Sequence, residues 1–285
     1  MPRDGTEAAV GRTREVSGGV TPAIANMLGA TLRPGWHAGA LAAGEVLPPL
    51  WHWAAFAQDT PMEGIGPDGH PALGTFLPDL GLGRRMWAGG KLRFLRPLHV
   101  GEPLRQRSEI VSIDWKTAGG APMAVVTLAH VVTGEDGPAI EESQSIVYLP
   151  LPTAFRPPKP VPAPADAAFD DTVTVDAVRL FRYSAATFNG HRIHYDRAYA
   201  TGVEHYPGLV VQGPLQATLL IERAVAHRGG ASPVALSHRG VHPCFDHHPV
   251  RLVGVEDGTK AMRLCTAAPP DHGGHQCMQV TAEWT

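Results

Sequence analysis

Cysteine, charge of one sign and long apolar runs are all scarce in this chain. Its 285 residues include three cysteines, Cys244, Cys265 and Cys277, far apart and without a C-x-x-C pair. So sparse and odd a set excludes a disulfide framework and suits a reducing compartment, so a cytoplasmic location is expected. A formal net charge of −3 leaves no basic footprint for a nucleic acid partner. No apolar run approaches the ~20 residues that a membrane span needs. The opening MPRDGTEAAVGRTREV lacks the apolar core of a signal peptide. Helical periodicity is also rare. Turn formers are abundant: 32 glycines and 27 prolines favour sheets of short strands over a helix bundle.

One seam is plain. In Pro152–Asp171 six of the first thirteen residues are proline, so this stretch is expected to be extended and semi-rigid. It divides the chain into a unit over 1–151, a linker over 152–171 and a unit over 172–285. The two units look related. A shift of 146 positions lays Arg93 on Arg239, Pro97 on Pro243, Pro103 on Pro249 and Arg105 on Arg251. Four coincidences in one register point to a duplicated strand–turn–strand unit. Strands are expected over Met123–Val132, Ser143–Leu149, Val250–Val255 and Gln276–Trp284. Helices are expected after Thr21-Pro22, where an N-cap residue precedes a proline, and over Pro214–Arg228, which Gly229 can stop.

The densest chemistry lies in Tyr183–Gly213, which reads S-A-A-T-F-N-G-H-R-I-H-Y-D and then Y-P-G-L-V-V-Q-G-P-L. It resembles the active-site segment of the MaoC-like enoyl-thioester hydratases, whose motif is of the type S-A-x-T-G-D-x-N-P-x-H-x-D. His194 and Asp196 keep the motif's histidine and trailing aspartate. Asn189 stands at the catalytic aspartate, His191 at the asparagine, Arg192 at the proline and Gln212 where a histidine is usual. The pairing of LPPLWHW with TFNGHRIHYD resembles the branch of mesaconyl-C4-CoA hydratases and 3-hydroxyacyl-thioester dehydratases. That resemblance implies an α+β double hot-dog, each bent antiparallel sheet wrapped around a long helix. The first unit would be non-catalytic and widen the acyl pocket. It also implies a hydro-lyase acting reversibly on a short enoyl-CoA, with no cofactor, working as a homodimer or higher oligomer.

Hydration needs a group to activate water, a proton for the α-carbon and donors for the thioester oxygen. His194 is the leading acid/base group, because an imidazole exchanges protons near neutrality. Asp196 is either a second catalytic carboxylate or the N-cap of RAYA. Asn189 cannot titrate but can orient water or bind an oxygen, and His191 is either its functional replacement or a polar loop residue. Gly213 opens the long helix, where free N–H groups favour an oxyanion. Arg192, Gln212, Tyr183 and Arg93 are the candidate substrate contacts, with Arg192 suited to a carboxylate on the acyl group, unless Asp196 claims it. Trp51, Trp53, Phe56 and Trp87 are core aromatics or pocket wall. His191, His194 and Asp196 find no further ligand at metal-binding spacing, so no metal is expected. A non-catalytic acyl-thioester binder remains open because of Asn189. A thioesterase remains open through Glu222, the one carboxylate on the long helix.

Overall fold

Alternation between buried and exposed residues sets the sheet. In β4 (Ala121–Gly134) the side chains of Ala124, Val126, Leu128, His130 and Val132 all turn inward, as a period of two requires. The computed structural model describes residues 7–285; the first six residues of the expected N-terminal unit lie outside it. Ten strands form one antiparallel sheet: β1 (Thr13–Gly18), β2 (Arg84–Phe94), β3 (Leu104–Ala118), β4, β5 (Gly137–Leu149), β6 (Phe169–Val173), β7 (Ala235–Gly240), β8 (Val250–Asp257), β9 (Ala261–Ala267) and β10 (Gln276–Glu283).

Their order is β1-β3-β4-β5-β2-β7-β10-β9-β8-β6. The second five repeat the first five in mirror order, so the duplication read in the sequence is an approximate two-fold in space. Its axis can be located. Lys91 and Ser237, which the 146-position shift equates, pair directly across β2 and β7.

Among the described residues four helices accompany the sheet: α1 (Pro22–Leu32), α2 (Ala177–Thr187), α3 (Arg197–Gly202) and α4 (Gly213–His227). α1 and α2 pack together, and each starts on a side-chain cap, Thr21 for one and Asp176 for the other. α4 lies in the hollow of the second-half sheet against β8, β9 and β10. Leu215 through Ile221 are all buried, so the helix is enclosed on every side rather than on one stripe. Burying Leu215, Leu219, Leu220 and Ile221 contributes about 1.5–3 kcal/mol each.

The expected long helix in each half is found only in the second. Among the described residues the first half has no counterpart of α4. Between α1 and β2 the chain makes only short turns, over Trp36–Gly39, Trp51–Ala54 and Met62–Gly64. The cause is composition. Residues 61–83 contain four prolines and six glycines, which no helix interior tolerates. Trp51, Leu50 and α1 fill the hollow instead, and a second apolar cluster of Leu80, Leu82, Ile110, Val126 and Tyr148 closes its far end.

The proline-rich stretch is irregular only to Ala168, because β6 begins at Phe169; the expected boundary at 171 moves accordingly. It is no free spacer. The Gln276 N–H donates to the Val161 carbonyl at 2.7 Å, and the Ala163 N–H to that of Gly274 at 3.1 Å.

Candidate active site

His194 closes a short turn, Arg192–His194, between α2 and α3. Its ring is buried, and its Nδ1 lies 2.7 Å from the Val210 carbonyl. A carbonyl only accepts, so Nδ1 carries the proton and Nε2 keeps its lone pair. Burial first, then the neighbouring His191, lowers the pKa of this ring to about 3. His194 is therefore neutral, with a free base nitrogen. The acceptor matters for placement: Val210 leads through Val211 and Gln212 directly into Gly213, the first residue of α4. One hydrogen bond thus ties the two motif segments together.

α4 starts without a side-chain cap, which leaves its first N–H groups to a ligand. Gly213 has a steric reason to be glycine: a Cβ there would lie 2.6 Å from the Trp87 ring. Trp87 comes from β2, so the first half shapes the start of the second-half helix. Trp87 in turn stacks on His238 at 4.2 Å.

His191 is buried, edge-on to His194 with ring centroids 5.2 Å apart. Its Nε2 lies 3.7 Å from Oε1 of Glu204, and the other Glu204 oxygen lies 3.2 Å from Arg84 Nε. Asn189 folds back, its Oδ1 accepting from the His191 N–H at 3.0 Å. This contact makes Asn189 a turn-forming residue.

The remaining candidates are occupied elsewhere. Asp196 caps α3, accepting from the Tyr199 N–H at 3.0 Å, and also accepts from Arg192 Nε at 3.0 Å and Nη2 at 2.7 Å. Those contacts, the Tyr199 N–H first, hold its carboxyl below the usual range. Of the two roles read from the sequence, the geometry places Asp196 in the cap. Arg192 is correspondingly spent: it also donates to the Pro67 carbonyl at 3.0 Å and lies over the Tyr199 ring. Its expected partner on the substrate is replaced by a protein carboxylate four residues on. Gln212 turns inward, donating to the Leu180 carbonyl at 2.9 Å and the Ser184 hydroxyl at 3.0 Å, and so locks α2 to the start of α4. Arg93 sits on the exposed side of β2, paired with Glu141 at 3.0 Å. Tyr183 is buried, its phenol pushed up by that burial. It lines a crevice with Leu28, Leu50, Trp51, Trp53 and Thr218 that is too tight to admit a water. Glu222 accepts from Trp51 Nε1 at 2.8 Å and pairs with Arg33, so it holds the two halves together and is not free to activate water. No group of three or more metal-ligating side chains gathers among the described residues.

Sequence reasoning missed two residues here. Glu204 is buried behind His191. His70, from the first half, lies against His191 with ring centroids 4.5 Å apart. The only local signal was the turn-rich PDGHPALG around His70, which has no periodicity and no motif.

Comparisons with known proteins bear on the family and the fold. A family model described as hydroxyacyl-thioester dehydratase type 2 matches residues 50–246. The chain is 42% identical over 260 residues to the mesaconyl-C(4)-CoA hydratase of Chloroflexus aurantiacus, covering 89% of this chain and 90% of that protein. It is 27% identical over 237 residues to the mitochondrial hydroxyacyl-thioester dehydratase type 2 of Schizosaccharomyces pombe, covering 74% and 79%. Among solved structures, a MaoC-like dehydratase from Phytophthora capsici superposes with a TM-score of 0.71 at 13% identity, covering 96% of this chain and 95% of that one. A Mycobacterium tuberculosis protein described as having a double hot-dog fold gives 0.62 at 14% identity, covering 96% and 95%. The chain is a double hot-dog protein and belongs to the hydroxyacyl-thioester dehydratase type 2 family.

Proposed function

We propose that this protein catalyses the reversible addition of water to a short enoyl-CoA that carries a free carboxylate, of the mesaconyl-C4-CoA type, giving the 3-hydroxyacyl-CoA. The observation that carries this reading is His194: a buried, neutral imidazole with Nδ1–H fixed by the Val210 carbonyl and Nε2 free. In the hydration direction, the water oxygen bonds to the β-carbon while His194 Nε2 takes one of its protons. The electron pair of the double bond moves to the thioester oxygen, which faces the N–H groups at the start of α4. Collapse of that enolate returns the proton from His194 to the α-carbon, so the enzyme ends unchanged. The base is weak by itself because burial disfavours its charge. The negative oxygen that forms during the reaction supplies a counter-charge and makes protonation favourable when it is needed.

Asn189 and His191 are read as residues that orient the water and the thioester, and Asp196 and Arg192 as the frame that fixes the His194 turn. The test is the ultraviolet absorbance of the conjugated thioester with mesaconyl-type and crotonyl-CoA. Loss of absorbance with formation of the 3-hydroxyacyl product supports the reading. Binding of both thioesters without turnover would instead make the protein an acyl-thioester binder.

No helix among the described residues is long and apolar enough to cross a membrane. The cysteines are all free and buried, which fits a cytoplasmic enzyme. We read the working form as a homodimer or higher oligomer, which light scattering on the eluting protein would establish.

A further inference from the structure

The helix-free stretch of the first half holds one ring in place. Gly66 N–H donates to the His70 carbonyl at 2.7 Å, closing a tight loop. Asp68 at its tip accepts from Arg85 Nε at 2.8 Å and Nη2 at 3.1 Å, and Arg85 also donates to the Pro71 carbonyl at 2.8 Å. The loop then docks on the second half. The Arg192 N–H donates to the Asp68 carbonyl at 2.9 Å. Gly69, with φ +88°, comes so near Gly190 that a Cβ on it would fall 1.9 Å from the Gly190 oxygen.

What this loop presents is the imidazole of His70, half-buried against His191. Among the described residues, neither of its ring nitrogens has a hydrogen-bond partner, although a neutral imidazole always carries one N–H and one lone pair. The loop is firmly held, and the ring nitrogens it presents are left to solvent or to a ligand. The surroundings leave few other donors. The guanidiniums near it are committed, Arg192 to Asp196, Arg85 to Asp68 and Arg84 to Glu204. After burial itself, the influences on His70 are His191, Arg85 and His194, and all of them push its pKa well below the ordinary value. His70 is thus held neutral with one N–H to give, and with those guanidiniums committed it is a donor left for an anionic group.

We propose that His70, supplied by the first half, reads the acyl group in the second-half site by donating a hydrogen bond to the carboxylate at the acyl end. The proposal rests on the hydratase reading above and names the residue that makes the site specific for a carboxylated acyl group. It gives the first half a direct part in recognition.

The test uses two saturated thioesters of equal chain length that cannot be hydrated, succinyl-CoA and butyryl-CoA, titrated calorimetrically into the full-length protein. His70→Phe keeps a ring against His191 without an N–H; His70→Gln keeps a donor. The wild type is expected to prefer succinyl-CoA. His70→Phe is expected to lose about tenfold or more of its affinity for succinyl-CoA and less than about threefold for butyryl-CoA, the size of one hydrogen bond to a charged group. His70→Gln is expected to retain the preference. Equal losses on both thioesters, an unchanged preference in His70→Phe, or no preference in the wild type overturns the proposal. If His70→Phe fails to fold, the same ratio is read on His70→Ala. Because neither thioester is turned over, the outcome does not depend on whether the enoyl-CoA is hydrated.

Discussion

The two halves share five strands each and one helix of a pair, yet Glu142 in the first and His194 in the second are handled in opposite ways. In the first half, Glu142 is wholly buried and fully used. It accepts from Trp53 Nε1 at 3.1 and 3.2 Å and from Gln144 Nε2 at 2.7 Å, with His52 Nε2 at 3.4 Å. Burial pushes its carboxyl up, but His52 and these donors outweigh it and keep the pKa below the ordinary value. His130 faces Ser108 through Nδ1 at 2.7 Å, while its Nε2 is buried without a partner. In the second half, His194 is as deeply buried but has one nitrogen tied and one free. A buried network with its partners supplied stabilises and specifies a fold. We read the free nitrogen of His194, set beside an uncapped helix start, as the proposed site. After duplication, the first half filled its hollow with side chains and short turns, and the second kept a helix whose end is open.

The sharpest way to break this contrast is to remove an imidazole from each half. His194→Ala should lower kcat/KM by about 10²-fold or more, with folding intact. His52→Ala should instead cost about 1–3 kcal/mol of stability by leaving Glu142 short of a partner, with turnover per folded molecule close to the wild type. Steady-state kinetics beside denaturant unfolding separates the two. A comparable loss of turnover in His52→Ala would erase the distinction between the halves.

The next test concerns the contact between them. Gly213→Ala drives a methyl into Trp87. The overpacking should cost about 1–3 kcal/mol and shift the N–H groups at the start of α4, so kcat should fall along with the melting temperature. A variant with normal kcat would remove the helix start from the mechanism.

A pH titration sharpens the comparison further. Burial holds His194 down to about 3 and His238 down to about 4, whereas an unfolded histidine titrates near 6.5. Between those values the unfolded chain binds more protons than the folded one. The stability these rings contribute is thus fully present above pH ~6.5 and is lost as the pH falls toward 4. The melting temperature should drop between pH 7 and pH 5. His238 has no partner on either ring nitrogen, so His238→Phe should keep the neutral-pH stability and flatten the drop. An unchanged slope would assign the acid sensitivity to other groups.

The smallest expected effect is at Arg192. Its pairing with Asp196 is partly exposed, so Arg192→Met should cost little stability. Any change in activity should be equal for carboxylated and plain enoyl-CoA. A selective loss on the carboxylated substrate would return Arg192 to the role first read from its position in the motif.

These residues show where the sequence was sufficient. The repeat was legible because strand–turn–strand units keep their prolines, and α4 was legible because fifteen residues of apolar pattern are local. Asp196 could be read as a cap from its place before RAYA. The orientation of Gln212 and the commitment of Arg192 were not legible, since both depend on which neighbour arrives first. His70 and Glu204 were invisible for a further reason. His70 meets His191 across 121 positions of chain, and no periodicity or motif spacing reports a contact made by a loop.

The pairing of β2 with β7 carries one last consequence. Five successive residue pairs, Gly89–Arg239 to Arg93–Ala235, join the halves in the middle of the sheet. Cutting the chain in its proline-rich stretch would separate two units that look autonomous in the sequence. Each would then bare a full-length edge of unpaired backbone groups, the kind of surface that recruits any strand it meets. Expressed alone, either piece should aggregate or pair with a copy of itself. Expressed together, the pieces should find each other through that edge and rebuild the enzyme.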